Sequence, residues 1–161
     1  MTSDGPESSP VAVRRSPVHG DGLFATIAVP QGATLCEYRG EIVSKEESRR
    51  RTASLPDDAP VYVVARDDET DIDGDVPDNP AKYANHGCEP NAVLSEENGR
   101  LVLRAAREIA PGEEILFDYG FGLAESLARP CRCGASRCIG RIVAAPLRPL
   151  LQKHLRTRRE R

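Results

Sequence analysis

The sequence predicts a mainly β protein of a single domain. Short runs of apolar and β-branched residues alternate with turn signals such as Pro30-Gln31-Gly32, and helical patterns are few. The chain has 161 residues, of which 39% are hydrophobic and 29% charged. That length fits one domain. No apolar run is long enough to span a membrane, and the composition excludes collagen-like, disulfide-scaffold and wholly disordered classes.

The first half of the chain predicts strands separated by tight turns. His19-Gly20-Asp21-Gly22 is expected to form a glycine turn, and Ser44 opens a capping box with Glu47, in which each side chain would bond the other residue's amide. A short polar helix should follow and end before Pro56. The acid-rich stretch 67–78 is expected to be a loop, and 80–84 one helical turn. Strands are expected over 11–13, 23–29, 35–41 and 61–65.

The second half predicts a hairpin, a further strand and a terminal helix. Strands at 93–95 and 100–105 flank Glu96-Glu97-Asn98-Gly99, whose Asn-Gly pair is typical of a two-residue hairpin turn. Pro111-Gly112 predicts another turn before a strand at 114–117. Residues 147–159 predict a basic helix. Pro149 is compatible with it because this residue falls within the first turn, where proline is tolerated.

Charge is unevenly distributed in a chain whose formal net charge is −3. Nine acids and one Arg lie within 57–78, whereas seven Lys or Arg and one Glu lie within 141–161. A solvated acidic loop and a frayed basic tail explain this pattern. The alternative is that the acidic loop contacts a basic peptide, or that the tail contacts an anionic partner.

Three cysteines, Cys131, Cys133 and Cys138, form a C-x-C-x4-C pattern. Because Arg and Gly residues interleave them, they cannot all be apolar core. The first ten residues show no secretory signal, so such close thiols favour a structural zinc, with a redox pair or free thiols as alternatives. Cys36 alternates with apolar neighbours and is better explained as a small buried residue. Zinc prefers four ligands, and the candidates for the fourth are Cys88, Cys36, His86 and His19.

Five motifs follow one another between residues 18 and 141. They are H-G-D-G-L-F-A at 19–25, E-Y-R-G-E at 37–41, Y-A-N-H-G-C-E-P-N at 83–91, G-E-E-I-L-F-D-Y-G at 112–120 and the terminal C-x-C-x4-C. In this order they resemble the SET-domain family of protein-lysine methyltransferases with its post-SET zinc segment. The chain departs from the family pattern at Gly87, where Ser is usual, and at Asp73-Gly74, where Asp-Ala is more usual.

The resemblance implies a SET-domain fold of small curved β-sheets with short helices and a C-terminal pseudoknot, in which the C-terminal segment passes through the N-H-x-C loop. It implies S-adenosylmethionine as methyl donor and a lysine side chain as acceptor. It also implies that Cys88 joins Cys131, Cys133 and Cys138 as the fourth zinc ligand. The chain then divides into a disordered leader 1–10, a SET domain 11–122, a post-SET zinc segment 123–145 and a basic tail 146–161.

Three aromatic residues match positions that surround the reacting groups in the family. Tyr119 matches the catalytic tyrosine, which would orient the amine and the methyl group, and Tyr38 would line the lysine channel. At Phe117 a Tyr would limit the product to monomethyl-lysine, so Phe implies room for more than one methyl. Free lysine has a pKa near 10.4, and an apolar channel would favour its neutral amine without a strong base. Without the resemblance, each ring is explained as an ordinary strand or core residue.

The resemblance also implies a set of cofactor-binding residues. Gly20 and Gly22 would let the backbone approach a ligand closely, and Asn85 and His86 match positions that meet the adenosyl moiety. Lys82 stands where Arg is common in the family and would pair with the cofactor carboxylate. The predicted set is Gly20, Asp21, Gly22, Tyr62, Lys82, Asn85, His86 and Phe121.

Two other functions are weighed against methyl transfer. The alternative is a SET-like binding module that recruits partners without turnover, but the presence of Tyr119, Phe117 and Tyr38 favours an enzyme. A nucleic-acid-binding zinc protein is disfavoured by the net acidity and the sparse aromatics. We expect a protein or peptide substrate with an exposed lysine, histone-like or otherwise basic, and neither a membrane nor a nucleic-acid partner. We also expect a soluble intracellular protein, cytoplasmic or nuclear.

Overall fold

The computed structural model describes residues 9–56 and 59–159. Within these ranges the chain forms ten short strands in three small sheets, three α-helices and two 3₁₀ turns. The prediction of a mainly β fold of small sheets with short helices is confirmed. Residues 1–8 of the predicted leader and residues 57–58 of the acidic stretch lie outside the described part of the chain.

The first sheet carries the N-terminal hairpin and the C-terminal strand side by side. Across it lie β1 (Val11–Arg15), β2 (Asp21–Ala25), β10 (Glu114–Phe117) and β7 (Asn85–His86). β2 pairs antiparallel with both β1 and β10, whereas β7 pairs parallel with β10. Leu23 is paired with Ile115 and neither has exposed surface, so this register fills the core. The parallel pair holds the N-H-G-C segment against β10, which is a contact that the expected pseudoknot requires.

The second sheet contains the predicted hairpin. Its order is β3 (Thr34–Glu37), β9 (Arg100–Ala105) and β8 (Ala92–Glu97). Asn98 and Gly99 join β8 to β9 with φ values of 53° and 77°, the two positive angles of a type I′ turn. The central strand β9 is the most enclosed, and Leu103 on it has no exposed surface. The hairpin prediction is confirmed: β9 has the predicted bounds, and β8 is longer than the predicted 93–95.

The third sheet corrects the expectation that 67–78 is a loop. It consists of β4 (Glu41–Ser44), β6 (Thr70–Asp73) and β5 (Val63–Ala65), and α1 (Lys45–Ala53) follows β4 directly. The acid-rich stretch therefore supplies the central strand β6. Its acids are tolerated there because cations of α1 approach them: Lys45 pairs with Asp71 at 2.5 Å, and Arg51 lies 2.8 Å from Asp73.

Internal ion pairs also involve the acids on either side of β6. Three pairs are formed along the stretch, joining Asp67 to Arg66, Asp75 to Lys82 and Asp78 to Arg39. Exposed pairs of this kind contribute little stability individually. They nevertheless show that much of the acidic charge is neutralised within the chain. This outcome differs from both interpretations of the sequence, the solvated loop and the contact with a basic peptide.

The capping box at the start of α1 is only half formed. Ser44 accepts a hydrogen bond from the amide of Glu47 at 3.1 Å, as predicted. The Glu47 carboxylate does not return to Ser44 but bonds Arg50 and Arg51, with contacts as short as 2.7 Å. Charge-assisted hydrogen bonds to guanidinium are stronger than a bond to a neutral amide, so the Glu47 carboxylate binds the two arginines and not the Ser44 amide.

Three strand boundaries also differ from the prediction. The strand expected over 23–29 ends at Ala25, and Val29 instead forms an isolated bridge with Ile109. The strand expected over 35–41 ends at Glu37, because the chain turns at Gly40 to pass close to the backbone of Asp73 and begins β4 at Glu41. The strand expected over 61–65 starts at Val63. Tertiary pairing, which local patterns do not contain, sets each of these limits.

The C-terminal region is packed against the rest of the fold. After α2 (Leu123–Ser126), the predicted basic helix appears as α3 (Arg148–Arg159), with Pro149 in its first turn. Leu151 is only 1% exposed, and Nη1 of Arg148 donates to the carbonyl of Cys88 at 2.7 Å. The beginning of the tail is therefore docked and not frayed. Among the described residues, no helix has both the length and the apolar character needed to cross a bilayer.

Gly87 should be intolerant of a side chain. A Cβ at this position would lie 2.8 Å from Cβ of Leu116, too close for two carbon atoms. We expect Gly87→Ala to lower the free energy of unfolding by about 1–3 kcal/mol, as overpacking does, when measured by urea denaturation.

Gly122→Ala is the matched control for Gly87→Ala. A Cβ at Gly122 would meet only the carboxylate of Glu125 at 3.4 Å, an ordinary contact, so its effect should stay within about 0.5 kcal/mol. Equal destabilisation by the two substitutions would show that steric conflict with Leu116 is not the cause.

Candidate active site

Two cavities meet beyond the end of β10. The larger is an open cleft of about 510 Å³, bordered by the 15–21 turn, β7 and the 128–132 segment. The smaller is a narrow channel of about 20 Å³, with Tyr38, Val64 and Phe117 in its wall. Residues that border both are Val61, Lys82, Tyr119 and Phe121. The arrangement can hold a small molecule in the cleft and a thin side chain in the channel, with their ends meeting beside Tyr119.

A cluster of aromatic rings surrounds this junction. The ring centroid of Tyr119 lies 4.9 Å from that of Phe117, 5.7 Å from that of Phe121 and 5.4 Å from that of His86. Phe117, Tyr119 and Phe121 are spaced two residues apart, and the chain leaves β10 after Phe117 and bends at Gly120, whose φ is 71°. The sequence therefore brings three rings to one place without any long-range pairing.

The two predicted tyrosines bind backbone carbonyls through their hydroxyls. The Tyr119 hydroxyl donates to the carbonyl of Ala84 at 3.1 Å, and the Tyr38 hydroxyl donates to that of Tyr62 at 2.7 Å. Burial raises the pKa of both phenols above the usual value, so both stay protonated at neutral pH. The channel wall is thus uncharged at these two residues, and neither phenol is a base at neutral pH.

His86 connects Tyr119 with the cysteine cluster. Its Nδ1 accepts a hydrogen bond from the amide of Tyr119 at 3.2 Å, and its Nε2 lies 3.5 Å from Sγ of Cys88. Burial lowers the pKa of His86 to about 4, although nearby Asp118 opposes this shift. A neutral imidazole with its proton on Nε2 satisfies both contacts.

Asn85 faces the cleft from β7 with a fixed amide orientation. Its Nδ2 donates to three oxygens: the carbonyls of His19 and Asp21 at 3.0 and 3.1 Å, and Oε1 of Glu114 at 3.0 Å. No hydrogen bond reaches its Oδ1 from residues 9–56 or 59–159. The amide nitrogen is therefore engaged by the protein, and the oxygen is left for a ligand.

The two glycines of the first motif differ in their surroundings. Gly20 borders the cleft with a φ of +51° and accepts a hydrogen bond from the amide of Ser16 at 2.9 Å. Gly22 is buried behind the cleft wall, where a Cβ would lie 2.9 Å from Cβ of Ser16 and overlap the carboxylate of Glu114. The structure explains Gly22 by packing, and its contact with a cofactor stays a prediction. Asp21 borders the cleft and pairs with Arg15 at 3.3 Å.

Lys82 is already paired within the protein. Its Nζ lies 3.1 Å from Oδ1 of Asp75 and 3.1 Å from the carbonyl of Val76. The same ammonium sits 5.2 Å and 5.4 Å from the ring centroids of Tyr62 and Tyr83. A cofactor carboxylate would therefore compete with Asp75 for Lys82. Tyr62, also predicted to bind the cofactor, borders the cleft.

Four cysteines converge beside the cleft. Cys88, Cys131, Cys133 and Cys138 place their sulfur atoms within 4.8 Å of one another, and Sγ of Cys88 and Cys131 are 3.8 Å apart. A tetrahedron built on Zn–S bonds of about 2.3 Å has edges of roughly 3.8 Å, so this donor set fits zinc. Cys36 lies apart from them on β3, packed against the core.

Two charged residues that the sequence did not single out support the cysteine cluster. Oε1 of Glu89 accepts from the Ser136 hydroxyl at 2.7 Å and from the Arg137 amide at 3.3 Å, between two of the cysteines. Arg148 holds the carbonyl of Cys88 from α3. Glu89 directly follows Cys88 in the sequence, whereas Arg148 lies ten positions after Cys138 and carries no such local signal. Cys131 and its neighbour Arg132 border the cleft, so the cluster also shapes the cleft wall.

Glu114 is a further residue that the sequence did not single out. It begins β10, beside the apolar run Ile115-Leu116-Phe117, and its carboxylate reaches back to Ser16 and Asn85. A charged side chain next to such a run is the one local sign that it has a specific partner.

Small β-sheets, a wide cleft that meets a narrow aromatic channel, and an adjacent four-cysteine cluster together define a domain built to bring two ligands together at one tyrosine. The model of the SET domain family matches residues 20–120 of the chain, and the chain belongs to this family. That match contains β2 to β10 and the junction at Tyr119.

Several curated proteins similar to the chain are named histone-lysine N-methyltransferases. Histone-lysine N-methyltransferase ash1 of Drosophila melanogaster is 36% identical over 127 residues, or 75% of this chain and 6% of that protein. Histone-lysine N-methyltransferase Set2 of the same organism is 35% identical over 143 residues, covering 85% of this chain and 6% of that protein. Histone-lysine N-methyltransferase 2B of Homo sapiens is 33% identical over 134 residues, with 80% and 5% covered. The chain therefore spans only about one-twentieth of the length of these relatives.

Metal analysis of the purified protein should find about one zinc per chain, as four thiolate ligands require. Cys133→Ser should lose most of this zinc, whereas Cys36→Ala, which removes the cysteine outside the cluster, should retain it. Because the cluster borders the cleft, we also expect Cys133→Ser to weaken ligand binding there by more than about tenfold. Folded wild-type protein without zinc, or equal zinc loss in both variants, would contradict the assignment.

Proposed function

We propose that the chain transfers methyl groups from S-adenosylmethionine to a lysine side chain of a protein substrate. The observation that carries this proposal is the meeting of the open cleft and the narrow channel at Tyr119. A cleft of about 510 Å³ suits a nucleoside-sized molecule. The channel has a narrow cross-section that suits one unbranched side chain, and aromatic rings form part of its wall.

The cofactor fits the groups that the cleft offers. Oδ1 of Asn85 is free to accept a hydrogen bond, Gly20 brings backbone to the surface of the cleft, and the rings of Tyr62 and Phe121 border it. When bound, S-adenosylmethionine would supply a methyl group on a sulfonium: a bond from the neutral amine to this methyl would form as the methyl–sulfur bond breaks, which would give a methylammonium and S-adenosylhomocysteine. We propose the full set predicted from the sequence as its binding residues, with Gly22 acting through packing and Lys82 in competition with Asp75.

The residues of the channel would favour the neutral amine that this displacement needs. Tyr38 and Phe117 are at most 5% exposed, so a lysine between them loses the water that stabilises its ammonium form. The Tyr119 hydroxyl stays protonated and orients groups beside it. Holding the two reactants in line can contribute several kcal/mol, up to roughly 7–11 in favourable cases.

The substrate is proposed as a lysine-bearing protein, with histones as the first to test. The support for histones is that the similar proteins, each many times longer than this chain, are named histone-lysine N-methyltransferases. A binding module without turnover is not favoured, because Tyr119, Tyr38 and Phe117 surround a formed channel. We propose residues 11–122 as the catalytic unit, 123–145 as the zinc segment that completes the cleft, and the tail from 146 as a docked helix.

Purified, zinc-loaded protein should transfer labelled methyl from S-adenosylmethionine to histones or to proteins of a lysate. Tyr119→Phe should reduce this transfer by about 100-fold, because the hydroxyl oxygen, whose proton is donated to Ala84, would no longer orient the amine and the methyl group. Its affinity for S-adenosylhomocysteine, measured by calorimetry, should stay within about threefold of the wild type. Cofactor binding without transfer to any protein would instead favour the binding module.

Phe117→Tyr should change the product without abolishing the reaction. An added hydroxyl in a channel of about 20 Å³ takes up space that a second methyl would need. We expect the wild type to produce di- or trimethyl-lysine and the variant mainly monomethyl-lysine, as resolved by mass spectrometry of a methylated peptide. An identical product distribution would show that Phe117 does not set the methylation state.

A further inference from the structure

Glu114 occupies the centre of a hydrogen-bond network behind the cleft. Its Oε1 accepts from the Ser16 hydroxyl at 2.6 Å and from Nδ2 of Asn85 at 3.0 Å. These partners come from the turn after β1 and from β7, which are 69 positions apart in the chain. One carboxylate oxygen thus joins two of the elements that border the cleft.

The same network organises the 15–21 turn. The Ser16 hydroxyl that donates to Glu114 also accepts from the amides of Val18 and His19, at 2.9 and 3.3 Å. The carbonyl of His19, at the end of this turn, is in turn an acceptor for Nδ2 of Asn85. The bonds close a ring in which Glu114 both fixes the turn and contacts the amide that the turn holds.

Gly22 is the steric counterpart of this network. It lies in β2 beside the side chains of Ser16 and Glu114, and any Cβ would overlap the Glu114 carboxylate. Gly22, the second glycine of the G-x-G pair, therefore leaves room for the Glu114 carboxylate behind the cleft wall. Neither the family match nor the similar proteins' names assign a role to Glu114 or Ser16.

We propose that Glu114 is a positioning residue, which, with Ser16, locks the amide of Asn85 so that Oδ1 faces the bound cofactor. An asparagine amide could otherwise turn by 180° and present its NH₂ group, which would meet a hydrogen-bond donor of the cofactor unfavourably. Because Glu114, His19 and Asp21 offer only acceptors to Nδ2, the reversed orientation would place Oδ1 against three oxygens. The chemistry recognised is an N–H or O–H donor, which could be the cofactor's α-ammonium or a donor of its adenosyl part.

This inference rests on the proposed cofactor, so its test measures binding and not turnover. Calorimetry with S-adenosylhomocysteine on the zinc-loaded protein should show about a tenfold weaker affinity for Glu114→Ala, because the reversed amide competes with the productive one. Glu114→Gln keeps an oxygen that can accept from Ser16 and Asn85, and its affinity should return to within about threefold of the wild type. Ser16→Ala, a milder change at the other end of the network, should weaken binding by about threefold.

A double-mutant cycle separates positioning from a general structural role. If Glu114 acts through Asn85, Glu114→Ala should cost less than about twofold once Asn85→Ala is present. A full tenfold loss in that background would overturn the proposal, as would wild-type affinity of Glu114→Ala itself. Absence of S-adenosylhomocysteine binding by the wild type would overturn the proposed function as well, which distinguishes the two failures.

5′-Methylthioadenosine, which lacks the amino-acid part of the cofactor, identifies the donor that Asn85 meets. A loss seen with S-adenosylhomocysteine but not with this nucleoside would support positioning toward the α-ammonium. An equal loss with both ligands, accompanied by the Asn85 coupling, would support positioning toward the adenosyl part. Equal losses without coupling would overturn the proposal.

Discussion

The pairing of β7 with β10 is the constraint on which the rest of the structure depends. β7 has two residues, yet the segment that it begins supplies three consecutive parts of the site. Asn85 faces the cleft, His86 accepts from the amide of Tyr119, and Cys88 joins the cysteine cluster. β10 leads into Phe117 and Tyr119, so one short parallel contact sets the distance between cleft, channel and cluster. A one-residue slip would turn each of these side chains away.

The buried titratable side chains around the junction are uncharged at neutral pH. The hydroxyls of Tyr38 and Tyr119 donate hydrogen bonds to backbone carbonyls, and burial raises the pKa of both phenols, so both stay protonated. His86 is held neutral by the same desolvation. Around the junction the charges of Lys82 and Asp75 balance one another. Such a site offers a lysine amine little that would stabilise its ammonium form, which is the physical basis for methyl transfer without a strong base.

The C-terminal region completes the site from outside the sheets. Cys131 and Arg132 border the cleft, and the cluster that contains Cys131 also includes Cys88, which follows β7. α3 reinforces this closure through Arg148, whose guanidinium bonds the carbonyl of Cys88. The cleft therefore has one wall whose position depends on the four cysteines, and metal and cofactor sites share the same short segments.

Local turn chemistry and motif spacing predict the short strands, the Asn98-Gly99 hairpin, the terminal helix and three cysteines of the cluster, whereas Cys88 follows only from the family resemblance. The motifs of the sequence also placed Tyr38, Tyr119 and Asn85 near one another. Only the tertiary structure decided that the acid-rich stretch forms β6, since Lys45 and Arg51 approach it from another element. It alone showed Glu114 beneath Gly22, because contacts between residues 92 positions apart leave no local pattern. Turns, caps and motif spacings depend on neighbouring residues and can be predicted from the sequence. Contacts between distant residues depend on how the sheets pair, so they are seen only in the folded structure.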